Sequence, residues 1–524
     1  MWNPPIELTP EEQNMAARTR KTRKFFVLLR ARRHARLAAD FQHTLAESDS
    51  PEPGGKAPVD AGWLALATRW QAYGPVGERD AVELTGMAKR WQRVLDGRGA
   101  EPPPCSRGTL CNLRLRLIAH NLDTTLRDRT GAVAETTGGC GARQRRAVLD
   151  ATPLCGAGRG EDTLPLLGHA LRKAVGLAAQ ALGTSPAALV EEAGLGLGGH
   201  RRLTAALDLD GGEPTARQSA LRGVLAAVAR WTSGLAPPPT LLAPQPPLQE
   251  RRDTRGQMVE PDPEPDPEGG LDGRRITQHV APARRLSIED QARRHGRTRR
   301  AKTCTGGKEH VAGDLDSHGT REGGVRPATE PESAAVERLA AAWEKRPGGL
   351  PLESDLGDRA SPRMAPWAAQ GGHIMARPWP CGGPLFTTHD FPFDCAHGHV
   401  TWPQGQTVLL VPGRDAQCPA SACDTCPLRT QGTTARLGHG RRLTMREDAP
   451  CQHKLRATMQ TKRGRASRRK RTAVAPALAH QWAPQGRRAR AKGRRKNPCD
   501  GRRHAAVSNL LVAARYEEER QLAS

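Results

Sequence analysis

Apolar residues along this chain recur mostly at intervals of three and four, the mark of helices with one buried face, and only rarely in the unbroken runs of a buried strand. Thr9-Pro10-Glu11-Glu12 has the form of a capping box with proline at the first helical position, so a helix is predicted to start there and to carry Phe25, Phe26, Leu28 and Leu29 inward. Its other face would hold Arg18, Arg20, Lys21, Arg23, Lys24, Arg30, Arg32 and Arg33, either as a solvated face or as a contact for a DNA backbone. A Pro/Gly-rich break follows from Ser50 to Pro58, and three further helical patterns are predicted over Trp63 to Tyr73, Asp80 to Leu95 and Thr109 to Leu126. Between Thr163 and Trp231 the helical period is strong, through Leu164, Leu167, Leu171, Ala174, Ala178 and Leu182 and again through Leu221, Val224, Leu225 and Val228.

One stretch departs from that rhythm. In RQRRAVLDATPLCGAG, Arg143 to Gly158, the run Ala147-Val148-Leu149 suits a buried strand that Thr152-Pro153 is expected to end. Asp150 then emerges at the strand's C-terminal edge, where open α/β sheets place ligands and metal ions; the bland alternative is an aspartate that caps a turn. Ala236 to Pro247 (APPPTLLAPQPP) and Glu260 to Glu268 (EPDPEPDPE) read as extended linkers, because proline removes backbone donors and the alternating carboxylates stay solvated.

Composition adds a partner and removes a location. The chain has 524 residues, of which 37% are hydrophobic and 3% aromatic, with 55 Gly and 43 Pro, so its large core side chains are few and partly disordered linkers are expected. A net charge of +25 and a pI near 10.4 call for a polyanion, nucleic acid first. No apolar run approaches the roughly 20 residues that span a bilayer, and the N-terminus lacks a signal-peptide core, so no membrane partner and a cytoplasmic location are expected. Twelve cysteines in a chain this size are expected to be mostly reduced thiols; Cys418, Cys423 and Cys426 alone have metal-ligand spacing.

The stretch LDATPLCGAGRGEDTLPLLGHALRK resembles the first catalytic strand of bacterial insertion-sequence transposases, the DDE recombinases with a ribonuclease-H-like core, and the resemblance runs from Met1-Trp2 to about Arg515. LALATRWQAYGPVGERDAVELTGMAKRWQRVLDGRGAEPPPCSRGTLCNLRLRLIAHNLD is similar to the helical, InsH-like N-terminal domain of these proteins. The resemblance implies an α/β ribonuclease-H-like catalytic core with a helical N-terminal domain and a helical insertion. The expected layout is a DNA-binding-type domain over 1–135, a first core strand region over 143–160, the insertion over 161–235 and a Pro/acid-rich linker over 236–300. The core continues over 301–390, a cysteine-rich, zinc-ribbon-like insertion occupies 391–445, and a basic helical part of the core closes the chain over 446–524.

Within that layout ARRHGRTRRAKTCTGGKEHVAGDLDS resembles the next pair of strands, with Asp314 and Asp316 as secondary acidic candidates. LESDLGDRASP places Asp355-Leu356-Gly357 on the family's second catalytic turn, with Asp358 where an aromatic is usual. The implied activity is DNA cleavage and strand transfer at terminal inverted repeats, by a protein that can act as a homo-oligomer. Mg²⁺ would be held by Asp150 and Asp355, because hard divalent ions favour carboxylates and two such ions stabilise an in-line displacement. The third acid is missing: RTAVAPALAHQWAPQG carries Ala475, then Pro476, at its position, and no Asp or Glu occurs from Ala449 to Cys499. In the cysteine-rich segment Cys423 and Cys426 remain as zinc candidates while Trp402 and Gly432 occupy the other two positions; Cys395, His397, His399 or Cys418 could substitute. The predicted Thr109 to Ile118 helix, with Arg107 just before it and Arg114 and Arg116 on it, and Arg468, Arg469 and Lys470, are the candidate DNA contacts. The chain therefore reads as a degenerate, catalytically impaired transposase, or else as a non-enzymatic basic DNA-binding protein derived from one.

Overall fold

The computed structural model describes residues 2–18, 23–33, 37–49, 58–74, 76–97, 103–136, 147–158, 160–192, 219–226, 263–265, 274–276, 284–298, 302–315, 317, 319–344, 352–353, 378, 385–387, 390–394, 397–409, 414–444, 449–472, 481–482 and 485–523. Asp316, Asp355, Asp358, Cys395, Ala475 and Pro476 lie outside the described residues.

The N-terminal part is a bundle of eight helices among the described residues: α1 (Pro10–Arg18), α2 (Arg23–Ala31), α3 (Ala39–Glu47), α4 (Ala61–Tyr73), α5 (Glu78–Met87), α6 (Lys89–Leu95), α7 (Arg107–Ala119) and α8 (Leu122–Thr136). The expected capping box starts α1: Thr9 N–H donates to Glu12 Oε2 at 3.0 Å and Glu12 N–H to Thr9 Oγ1 at 3.3 Å. Phe25, Phe26, Leu28 and Leu29 are all buried, but on a separate helix, α2. Two residues of the supposed basic face turn inward. Arg30 and Arg33 are fully buried; Arg30 pairs with the buried Glu12 at 3.1 Å and Arg33 donates to the Val94 carbonyl at 3.1 Å. A buried guanidinium persists only where such acceptors meet it. The pattern predicted over Asp80 to Leu95 divides at Ala88, which adopts an extended ψ of 112°, and that over Thr109 to Leu126 divides at Asn121, whose φ is 54°. Asn tolerates the left-handed region better than most side chains.

The scarcity of aromatic residues is offset by their concentration. Phe25 stacks on Trp70 and Tyr73 with ring centroids 5.5 and 4.2 Å apart, and Trp91 meets Trp70 edge-on at 6.2 Å. Phe26, Phe41 and Trp63 join the same core.

The second unit is a mixed sheet. β1 (Ala147–Cys155) pairs antiparallel with β5 (Lys302–Asp314), whose other edge pairs with β4 (Arg294–Thr298) and then with β6 (Thr320–Pro327). β7 (Leu352–Glu353) lies parallel to β1 on the side away from β5. Between β1 and β5 the chain forms α9 (Thr163–Leu182), α10 (Pro186–Glu192) and a helical segment at 219–226; of the predicted stripe Leu164, Leu167, Leu171, Leu221 and Val224 are buried, whereas Ala174 and Ala178 are half-buried and Val175 and Ala179 take the inward positions. Two short strands, β2 (Pro263–Pro265) and β3 (Arg274–Ile276), pair in the region read as a linker. After β6, α11 (Glu332–Glu344) packs back on β5 and β6 before the chain reaches β7.

Pro153 does not end β1; it pairs with Lys308 inside the ladder. The Cys155 N–H, on the edge away from β5, donates to the Arg487 carbonyl. Alternation puts the missing Pro153 donor on that same edge, where β1 has no described partner between Val148 and Cys155. Asp150 consequently sits in the middle of β1, not at its tip.

The cysteine-rich segment forms β8 (Phe393–Asp394), β9 (His399–Thr401) and β10 (Thr407–Leu409) as one small sheet, then the pair β11 (Asp415–Gln417) and β12 (Arg442–Thr444) around α12 (Ala420–Asp424) and α13 (Arg429–Gly432). Two basic helices follow, α14 (Ala449–Gln460) and α15 (Lys462–Thr472), and then the long α16 (Lys496–Ala523). α16 joins the two main units. Its Val507, Leu510, Ala513 and Ala514 belong to the core of the N-terminal bundle, while Asn509 clamps β6 by accepting from Thr320 N–H and donating to the Thr320 carbonyl, each at 2.6 Å. Among the described residues no helix is long and apolar enough to cross a membrane.

Candidate active site

Directly opposed residues of an antiparallel pair share a face, and faces alternate along a strand. Asp150 opposes Val311, and Thr152 opposes Glu309, so Val148, Asp150, Thr152 and Leu154 share a face with Glu309 and Val311. The packing agrees: Val148 clusters with Val311, and Leu154 with Trp482 and Ala489. His310 opposes Ala151 and belongs to the other face. Asp150 is half-buried, and its Oδ1 accepts the Ala151 N–H at 2.9 Å. The β1–β7 register pairs Ala147 with Leu352 and Val148 with Glu353, the same sequence offset that separates Asp150 from Asp355.

Further along this face lies a buried acidic cluster that sequence reasoning missed. Glu309 is 2% exposed; the Trp482 indole N–H donates to its Oε2 and Gln481 Nε2 to its Oε1 at 3.3 Å. Burial, and then the neighbouring Asp500, push its carboxyl up to about 8. Asp500, on the first turns of α16, accepts from Arg503 at 2.5 Å and from Gln485 at 3.3 Å. Burial alone would raise its pKa, but Arg503, His504 and these hydrogen bonds together hold it below the ordinary carboxylate value. Gly501 makes this approach feasible: a Cβ there would stand 2.7 Å from Glu309 Oε1. The sequence signal was faint, a lone acid just beyond a long basic run and a glutamate two positions before Val311.

These buried groups predict a pH profile for stability. Glu309 keeps a proton in the folded chain from its ordinary 4.5 up to about 8, so unfolding releases that proton and stability falls as pH rises through this window. His310 and His504 are held down to about 4 from 6.5, by burial first, so the unfolded chain binds protons that the folded one refuses and stability falls as pH drops through that window. Urea titrations across pH 5–9 should show Glu309→Gln flattening the decline above pH 6.5 and steepening the acid limb, where Glu309 and the two histidines act in opposite directions; an unchanged alkaline limb would contradict the buried protonated carboxyl.

The described residues do not form a magnesium cradle. Asp150 offers one carboxylate, Glu309 is committed to Trp482 and Gln481, and Asp500 to Arg503 and Gln485. Asp314 is buried, faces away from Asp150 and accepts from Ser317 N–H and Oγ at 2.7 and 2.9 Å. Among the described residues no three His, Cys, Asp or Glu side chains are placed to hold a metal ion. Cys418 and Cys423 are buried neighbours, and burial first, then Cys423 and Cys426, push the Cys418 thiol up to about 11. Trp402, at an expected cysteine position, is buried with Phe391, Cys418 and Cys423 and meets Phe391 edge-on at 5.2 Å. His397 pairs with Asp394 at 2.7 Å, and His399 lies on β9. Cys105, Cys111, Cys155, Cys304, Cys418, Cys423, Cys426 and Cys499 are free thiols.

The candidate DNA contacts divide. Arg107 is exposed at the start of α7, whereas Arg114 pairs with Glu78 and Arg116 with Asp49. On α15, Arg469 is exposed and Arg468 half-buried, with exposed Lys462, Arg463 and Arg465 beside them; Lys470 lies on the same helix.

A family model described as a transposase DDE domain matches residues 395–513. The match takes in the cysteine-rich segment, the basic helices and most of α16; β1 and β7 lie outside it. Over that segment the chain is similar to DDE transposases, which supports a transposase-like function. No curated protein and no solved structure matches the chain.

Proposed function

We propose that the chain is a DDE transposase by descent that binds DNA but is impaired in cleaving it. The observation that carries this reading is the sheet register: β7 runs parallel beside β1 at the offset that separates Asp150 from Asp355, after three antiparallel strands and the crossover helix α11. An antiparallel meander joined by a crossover to a parallel fourth strand supports a ribonuclease-H-like core, and the match to a transposase DDE domain at 395–513 supports it independently. In this reading Asp150 and Asp355 would share one Mg²⁺, the helical N-terminal bundle is an InsH-like DNA-binding domain, and α15 supplies backbone contacts.

Ala475 provides no donor for a second ion, which favours DNA binding without strand transfer. Hydrolysis and transesterification would be weak or absent, leaving the non-enzymatic reading as the practical one.

Two assays test this together. In filter binding, affinity for DNA should fall steeply with salt, by about 10³–10⁵ between roughly 50 and 200 mM if six to ten phosphates are contacted. Mg²⁺-dependent strand transfer on terminal inverted repeats should be absent. Strand transfer that Asp150→Ala abolishes would remove the impairment from the reading, and a chain that does not bind DNA would remove the reading itself.

A further inference from the structure

A cavity of about 440 Å³ wraps the β6 edge between α11, the start of α16 and the α7–α8 junction. Its cationic lining comprises Arg326, Arg338, Arg494, Arg495 and Arg502. Three acids share the wall, and each is already matched: Asp123 with Arg502, Glu330 with Arg338, and Glu322 with Arg127 from outside the cavity. Among the described residues Arg495 donates a single 3.4 Å bond, to the Ile118 carbonyl. Positive charge is therefore in surplus, carried by the exposed side chains of Arg326 and Arg494.

His310 also lines the cavity, 4% exposed, and its Nε2 has no hydrogen-bond partner among the described residues. Leaving such an atom unmatched in the interior costs about 1–3 kcal/mol, a deficit that a bound acceptor removes. Burial first, and then the charges of Lys308, Arg338 and Arg326, hold it neutral at pH 7, so it can donate from Nε2 without bringing its own charge. Ile118, Val325, Ala335, Leu339 and Pro498 complete an apolar flank.

We propose that this cavity binds a phosphate group on a body of nucleotide size, with Arg326 and Arg494 meeting the phosphate and His310 Nε2 donating to one of its oxygens. Guanidinium groups suit phosphate because their planar donors can engage two oxygens at once. The volume is within the range of small-molecule sites and exceeds what a bare anion needs. Asp150 is not part of its lining: His310 projects from the face of the sheet opposite Asp150, and Val325 carries the cavity around the β6 edge. It therefore does not depend on any catalytic assignment. Free nucleotides and the backbone of a DNA strand offer the same chemistry.

Calorimetric titration of the full chain with inorganic phosphate, a deoxynucleoside 5′-monophosphate and a short single-stranded oligonucleotide tests it. Arg326→Gln and Arg494→Gln replace exposed side chains, so the melting temperature should hold. The monophosphate should bind more tightly than phosphate alone, and each variant should weaken it at least tenfold. His310→Gln should do the same and is checked separately, because it alters a buried position. Weakening confined to the oligonucleotide would identify DNA as the source of the phosphate. Unchanged binding of all three ligands in both arginine variants, or no binding of any to the native chain, would overturn the proposal.

Discussion

Trp482→Ala should lower the free energy of unfolding by about 3–5 kcal/mol, the range for emptying a buried aromatic site. Trp482 is fully buried against Leu154 and Ala489, and its ring centroid lies 5.1 Å from that of His504. Truncation removes this packing and also one of the donors of Glu309. The cavity would open between the sheet and α16, which touches β6, α8, α2 and α4, so the damage falls on the joint between the two main units. Trp482→Phe isolates one part: it keeps most of the apolar volume and drops only the indole N–H, with an expected loss of about 1–3 kcal/mol. Urea denaturation reads both as shifts of the midpoint at constant slope. A loss below about 1 kcal/mol for Trp482→Ala would mean that this face of the sheet is not closed by Trp482.

Local signals in the sequence were legible and long-range ones were not. The box Thr9-Pro10-Glu11-Glu12 needs only neighbours three residues apart, and it forms as read. The buried stripe of α9 is equally local. Arg30 and Arg33 looked like a solvated basic face because a guanidinium carries no sign of a distant acceptor; Glu12 and the Val94 carbonyl are visible only once the helices have packed. Thr152-Pro153 looked like the end of a strand because the rule for proline depends on which edge lacks a donor, and that edge is set by β5 and the segment around Arg487. Glu309 and Asp500 meet from strands and helices far apart in sequence, so neither could be paired beforehand. The pairing of Asp150 with Asp355 was taken from resemblance, and Asp355 lies outside the described residues; the structure describes β7 beside β1 only at Leu352 and Glu353.

Ala475→Glu combined with Pro476→Ala should raise Mg²⁺-dependent cleavage of terminal-repeat DNA by about 10²–10⁴, because a bound metal ion contributes several kcal/mol to the transition state and each ~1.4 kcal/mol is tenfold in rate. The argument rests on charge and shape together. In the proposed reading a carboxylate at position 475 would restore a hard-ion donor, and removal of Pro476 returns a backbone N–H to a segment that the resemblance assigns to a helix, where proline costs about 3 kcal/mol or more. The control is the triple variant with Asp150→Ala, which should return to the native level while DNA affinity at fixed salt stays unchanged. That separation matters, because an added acid within a basic region can also weaken DNA binding; cleavage must therefore be compared at saturating DNA. A gain that survives Asp150→Ala would place the chemistry elsewhere. No gain in a variant that folds and binds DNA like the native chain would show that Ala475 is not the corner at which activity was lost, and attention would pass to Asp358, where the resemblance expects an aromatic.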